Sequence, residues 1–154
     1  MIYVDADACP VKDEIYRVAK RYAWRVVVVA NTPLRVPTDP QIELVVCREV
    51  GLDIVDNWIF EHVGRGDIVV TADIPLAARC IEKHSRVIDV KGREFTRHDI
   101  GDTLAMRNLL DELRQTGVIT GGPAPRSDKD RSRFLAKLDE LIVAVRKAER
   151  MAGR

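Results

Sequence analysis

This chain of 154 residues is poor in the residues that mark special environments. Its three cysteines (Cys9, Cys47 and Cys80) are widely spaced and odd in number, which argues against a disulfide framework. They show no Cys-x-x-Cys pairing and no zinc-type spacing with His62, His84 or His98. Free, buried thiols are the expectation, because unpaired cysteine packs as a small hydrophobe. Cys9 stands apart, since it precedes a helix start whose dipole is expected to lower its pKa. No apolar run exceeds five residues (Val26 to Ala30, Leu141 to Val145), far short of the ~20 that span a bilayer. A formal net charge of +1 gives no global steering towards nucleic acid or membrane, so any such contact must rest on a local patch. The N-terminus shows no basic, then apolar leader pattern, so a cytoplasmic location and no membrane partner are expected.

What is present alternates between strand and helix patterns. Met1–Val4 reads as a strand buried on both faces and Val26–Ala30 as a buried strand, while Glu43–Cys47, Ile68–Thr71 and Arg86–Val90 read as a third, fourth and fifth strand. Helical spacing of apolar residues covers Val11–Trp24, Asp53–Val63, Leu76–Lys83 and Ile100–Gln115, with Pro10 suited to a helix start. Between Val90 and the last of these, Gly92, Arg93 and Thr96 read as a polar loop. This order implies a three-layer α/β/α domain with a mostly parallel sheet of about five strands over residues 1–120. Residues 121–154 add a Gly-Gly-Pro-Ala-Pro connector and a C-terminal helix opened by Ser127 and Asp130 as a capping box. The helix stripe of Phe134, Leu138, Leu141, Ile142 and Val145 is expected on the same domain, and also offers a route to a homo-oligomer.

Two apolar strands end in acid: Ile2-Tyr3-Val4-Asp5-Ala6-Asp7 and Ile68-Val69-Val70-Thr71-Ala72-Asp73. Open parallel sheets bind ligands outside the carboxyl ends of their strands, where strand order reverses. If the two strands are neighbours there, Asp5, Asp7 and Asp73 converge. Two unit charges ~4 Å apart repel by roughly 4 kcal/mol at an effective dielectric near 20. Three such groups need a shared proton or a cation. Helix capping is the competing account of Asp7 and Asp73, and of Asp53 with Asp56, one helical turn apart. Lys12, Arg35, Arg48 and the group Arg126, Lys129, Arg131 and Arg133 are candidates for phosphate contacts.

The strings Asp5-Ala6-Asp7-Ala8-Cys9-Pro10-Val11, Leu34-Arg35-Val36-Pro37 and Gly66-Asp67-Ile68-Val69-Val70-Thr71-Ala72-Asp73-Ile74-Pro75 closely resemble the YaiI/YqxD family of bacterial proteins. Met106-Arg107 and Gly121-Gly122-Pro123, followed by Asp130-Arg131 and Phe134, carry the resemblance to about Val145. That family is similar to the PIN-like fold of metal-dependent nucleases. The resemblance implies acids at the first strand end (Asp5 with Asp7), in a following helix (Asp56, with Asp53 beside it) and at the fourth strand end (Asp73).

The function so implied is a phosphodiesterase acting on RNA. Asp5, Asp7, Asp56 and Asp73 would be catalytic, and these four with Asp53 would hold the metal, while Lys12, Arg35 and Arg131 contact substrate. Oxygen donors without histidine or cysteine favour Mg²⁺ or Mn²⁺. Two rivals stand beside it. Asp-x-Asp after a strand is also the mark of haloacid-dehalogenase-type phosphatases, in which Asp5 would be the nucleophile and Asp7 the general acid. A non-catalytic RNA- or protein-binding adaptor of the same fold is the other, since no further acid follows Asp73 until Glu82.

Overall fold

The computed structural model describes residues 1–7, 9–120 and 126–153, so the Gly-Gly-Pro-Ala-Pro connector lies outside the described residues. The strands are β1 (Ile2–Asp5), β2 (Val26–Ala30), β3 (Ile42–Val46), β4 (Ile68–Val70), β5 (Arg86–Ile88) and β6 (Glu94–Phe95). The helices are α1 (Lys12–Tyr22), α2 (Ile54–His62), α3 (Ile74–Glu82), α4 (Ile100–Gln115) and α5 (Asp128–Ala152). They form one six-stranded sheet in the order β3-β2-β1-β4-β5-β6, parallel except for β6. The first three strands step one way from β1 and the next three the other, so strand order reverses between β1 and β4.

Alternation along the central strands sorts the core into two layers. Ile2, Val4, Val26, Val28, Ile68, Val70 and Ile88 face one side, where α1 contributes Ile15 and Val18. On that side α5 buries Phe134, Leu138, Leu141 and Ile142. Tyr3, Val27, Val29, Val69 and Val87 face the other side, against Val55 and Ile59 of α2 and Leu76, Ala77 and Cys80 of α3. Both faces of β2 are covered, which is why Val26–Ala30 carries no polar residue. The apolar stripe of α5 is thus consumed within the chain. By contrast no residue of α4 is buried, and Met106 and Leu109 are about half exposed. Among the described residues, no helix is long and apolar enough to cross a membrane.

Three local expectations are corrected. The sheet has six strands rather than about five, because residues read as polar loop fold back as β6. Only two residues long, that strand is held by side chains: Glu94 accepts from Arg86 Nε at 2.7 Å and lies 3.5 Å from Lys137 Nζ of α5. Pro10 sits in a turn ahead of α1, whose N-cap position is Val11, and the helix ends at left-handed Ala23. Cys9 is buried and its thiol is pushed up by that burial, with Asp5 and Glu14 adding to the effect against the Val11 amide and Lys12. Desolvation outweighs the helix terminus.

Gly92 shows how closely α5 is seated. Its φ is +88°, and a Cβ there would lie 2.7 Å from the backbone of Arg133 and Phe134. The turn between β5 and β6 therefore needs glycine both for its conformation and for room. Ser127 opens α5 as expected, with a reciprocal capping box to Asp130.

Candidate functional site

A cleft of about 420 Å³ opens at the carboxyl ends of β1 and β4. It is lined by Asp5, Asp7, Asn31, Glu49, Gly51, Asp53, Ile54, Val55, Asp56, Ala72 and Asp73. All five acids expected from the sequence therefore border one volume. Parallel pairing makes this so: Val4 is registered with Val70, and one residue further each strand turns from apolar to polar. In that next position the Thr71 hydroxyl donates to Asp5 Oδ2 at 2.8 Å. Thr71 Oγ1 also accepts from the Asp73 backbone amide at 3.0 Å, and the residue is almost wholly buried. One hydroxyl thus ties the two strand tips together.

Asp73 combines both readings offered for it. As the N-cap of α3 it accepts from the Leu76 amide at 2.9 Å, and its carboxylate also meets that of Asp56. Asp53 is not a cap. It is exposed, in a left-handed conformation (φ 60°), and makes no capping bond, although it occupies the residue before α2. Asp7 is exposed in the turn after β1.

The electrostatic consequence is large. Burial pushes the Asp5 carboxyl up to about 6, with Asp7 and Asp73 adding repulsion, while the Thr71 hydroxyl and the Asp7 amide oppose the rise. Asp56 is pushed up to about 7 by burial, by the charges of Asp73 and Asp5, by the hydrogen bond to Asp73, and by Asp53. Two carboxylates can hydrogen-bond to each other only through a proton, and with Asp56 pushed up to about 7 such a proton is still partly retained near neutral pH in the absence of another cation. Among the described residues, no group of three or more His, Cys, Asp or Glu side chains is arranged to hold a metal ion. The five acids share a cleft without sharing a coordination sphere.

The expected cationic residues lie off this cleft. Lys12 Nζ donates to the Cys9 carbonyl at 2.9 Å, and Arg131 Nε lies 3.1 Å from Glu14 Oε1 at the start of α1. Arg35 is exposed in the loop after β2, between Leu34 and Val36, which pack on the core. Sequence reasoning did not reach Asn31, Glu49 or Gly51, which come from loops without a regular pattern. The role of Thr71 was signalled only by its place two residues before Asp73 at a strand end.

Fold and site together define a parallel α/β protein with an acidic cleft at the reversal of strand order. Residues 3–144 match the family described as "Uncharacterized BCR, YaiI/YqxD family", and the chain belongs to that family. It is 56% identical over 147 residues to the UPF0178 protein of Azorhizobium caulinodans, covering 96% of this chain and 92% of that relative. A UPF0178 protein of Rhodopseudomonas palustris (strain BisB18) is 50% identical over 151 residues, 98% of this chain and 97% of the relative. One from Bradyrhizobium sp. (strain ORS 278) is 53% identical over 146 residues, 95% and 88% respectively. No solved structure matches the chain at a significant level.

Proposed function

We propose that this protein is a divalent-cation-dependent phosphodiesterase acting on RNA, with the acidic cleft as its active site. The observation that supports this reading most is the Asp56–Asp73 pair, two carboxylates held against each other at the switch point of the sheet. A site that must retain a proton to remain tolerable is one where a dication is a favourable replacement. The donors fit Mg²⁺ or Mn²⁺ in one respect and not in another. All are oxygens, but no closed set of three is present among the described residues. Mg²⁺ ordinarily keeps several waters and binds through one or two carboxylates plus substrate phosphate, which is the kind of site this pair offers.

When bound, such an ion supplies neutralisation of the charge that develops on the reacting phosphate. The side chains account for the remaining tasks. Asp56 and Asp73 hold the cation, with α3 fixing Asp73 through its cap. Asp5, pushed up to about 6, is tuned close to the pH at which a carboxylate accepts a proton from an attacking water most effectively. Thr71 fixes the rotamer of Asp5, and exposed Asp7 serves as a further ligand or water-orienting group at the rim. Lys12 and Arg131 neutralise phosphates away from the reacting one. The similarity to PIN-like nucleases noted in the strand-end acids favours the same chemistry.

The test is cleavage of a labelled single-stranded RNA by purified protein with Mn²⁺, beside the Asp5→Asn and Asp73→Asn variants. Cleavage by the wild type that both variants lose is expected. Equal cleavage by all three means a contaminant, and no cleavage of varied RNA substrates rejects the proposal.

A further inference from the structure

The geometry points to Glu14 as a positioning residue that aims Arg131 at a backbone phosphate of a single-stranded RNA lying across the mouth of the cleft. This deepens the phosphodiesterase reading and rests on it.

Glu14 is a deeply buried acid; its place in the first turn of α1 suits a negative charge, but that benefit does not require burial. It lies in the first turn of α1, is 7% exposed, and is flanked by the buried residues Ile15 and Val11. Its Oε1 is 3.1 Å from Arg131 Nε, and its Oε2 has no hydrogen-bond partner. A half-satisfied buried carboxylate is a weak source of stability, and an apolar side chain of similar volume would serve packing better. What it does provide is orientation. With Nε engaged, the guanidinium plane of Arg131 is fixed, while the side chain as a whole remains 55% exposed. A guanidinium held in this way presents a planar fork that matches two phosphate oxygens.

Its location suits a substrate contact. α1 follows β1 through a short loop, so its first turn stands at the same end of the sheet as Asp5. The buried Cys9 thiol in that loop lies within electrostatic reach of both Asp5 and Glu14. Lys12 is anchored to the same loop, so Arg131 and Lys12 are the two cations on this flank. Five acids repel a polyanion, and a strand reaching them needs cations on the flank. The α1–α5 side carries those cations.

A positioning role and a diffuse-charge role predict opposite signs for one variant. If Arg131 acts as bulk positive charge, Glu14→Gln removes a neighbouring negative charge and tightens RNA binding. If Glu14 aims the fork, the same change weakens it. Binding of a fluorescein-labelled oligouridylate to the full chain, read by anisotropy in EDTA across a KCl series, separates the two without any hydrolysis. For Arg131→Ala the log–log salt slope is expected to shrink by about 0.7, the loss of one phosphate contact on a single strand. Glu14→Gln is expected to keep the wild-type slope and bind about threefold or more weakly, as is Arg131→Lys, which retains charge but not the fork. Thermal melts accompany each variant. Should Glu14→Gln not fold, Arg131→Lys carries the test alone. Wild-type affinity in Arg131→Lys, unchanged or tighter binding by Glu14→Gln, or no binding by the wild type at low salt overturns the inference. Loss of Mn²⁺-dependent cleavage with these binding differences intact would instead count against the hydrolytic reading.

Discussion

In the metal-free protein, raising the pH from 5 to 8 should weaken the fold. In the native state Asp5 titrates at about 6 rather than at its ordinary value of 3.8, chiefly because it is buried. Between those values the folded protein holds a proton that the unfolded chain has released. The native state therefore binds more protons, and stability falls as pH rises through the folded-state pKa. At 1.36 kcal/mol per pH unit, the interval from 3.8 to about 6 corresponds to a loss on the order of 3 kcal/mol, of which roughly 1.4 kcal/mol falls above pH 5. Asp56, pushed up to about 7, adds to the loss and extends it to higher pH, but the two are not additive because each raises the other. For a chain of this size, the Asp5 share above pH 5 corresponds to a Tm lower by roughly 3–6 °C. Asp99 and Asp130 act in the opposite sense. Backbone amides of Thr96 and Ser127 hold them below the ordinary carboxylate range, so their contribution is lost only as pH falls below about 4. Maximum stability is thus expected near pH 4, where the loss from Asp5 and Asp56 begins and that from Asp99 and Asp130 has not set in. Urea unfolding in EDTA at pH 5, 6, 7 and 8 measures this, and Asp56→Asn should flatten the decline and stabilise the protein at pH 8. Stability that stays level or rises from pH 5 to 8 would refute the reasoning.

Further predictions concern the supports of the site and of α5. Thr71→Val keeps the shape but removes two part-buried hydrogen bonds, so denaturant unfolding at pH 8 should show a loss of roughly 1–3 kcal/mol, and NMR titration should place Asp5 above its wild-type midpoint. Gly92→Ala drives a Cβ into the α5 backbone at positive φ and should cost at least about 2 kcal/mol by the same assay. Gly117→Ala, at φ +77° with nothing within 4 Å, should cost about 1 kcal/mol. Ser127→Ala removes the cap of α5 and should cost about 1 kcal/mol in melts.

The strand ends that build the cleft were readable because apolar runs broke off into acid, and a residue period of two left Asp5 nowhere to hide. Asp73 was readable for the same reason, yet its cap and its place in the cleft turned out to be compatible rather than alternatives. Asp56 was different. Its spacing from Asp53 signalled only a cap, and its meeting with Asp73 depends on α2 crossing the sheet face beside α3. No local pattern encodes that crossing. β6 was illegible because two residues carry no periodicity, and of the partners of Glu94, Arg86 lies on the preceding strand while Lys137 comes from distant α5. Cys9 shows the converse error: a local rule about helix termini was overruled by burial that only the assembled core creates. α4 had an amphipathic pattern, but the pattern does not say whether its apolar side is covered, and none of its residues is buried.

The claim on which the functional account depends is that the Asp56–Asp73 pair exchanges its proton for a divalent cation. Electron paramagnetic resonance of Mn²⁺ titrated into the protein at pH 7.5 tests it directly, because bound Mn²⁺ loses the sharp signal of the free ion. The account predicts saturable quenching by the wild type, displaced by Mg²⁺ and absent in Asp56→Asn and Asp73→Asn variants that remain folded. Undiminished binding in those variants, or no binding at millimolar Mn²⁺, would contradict it.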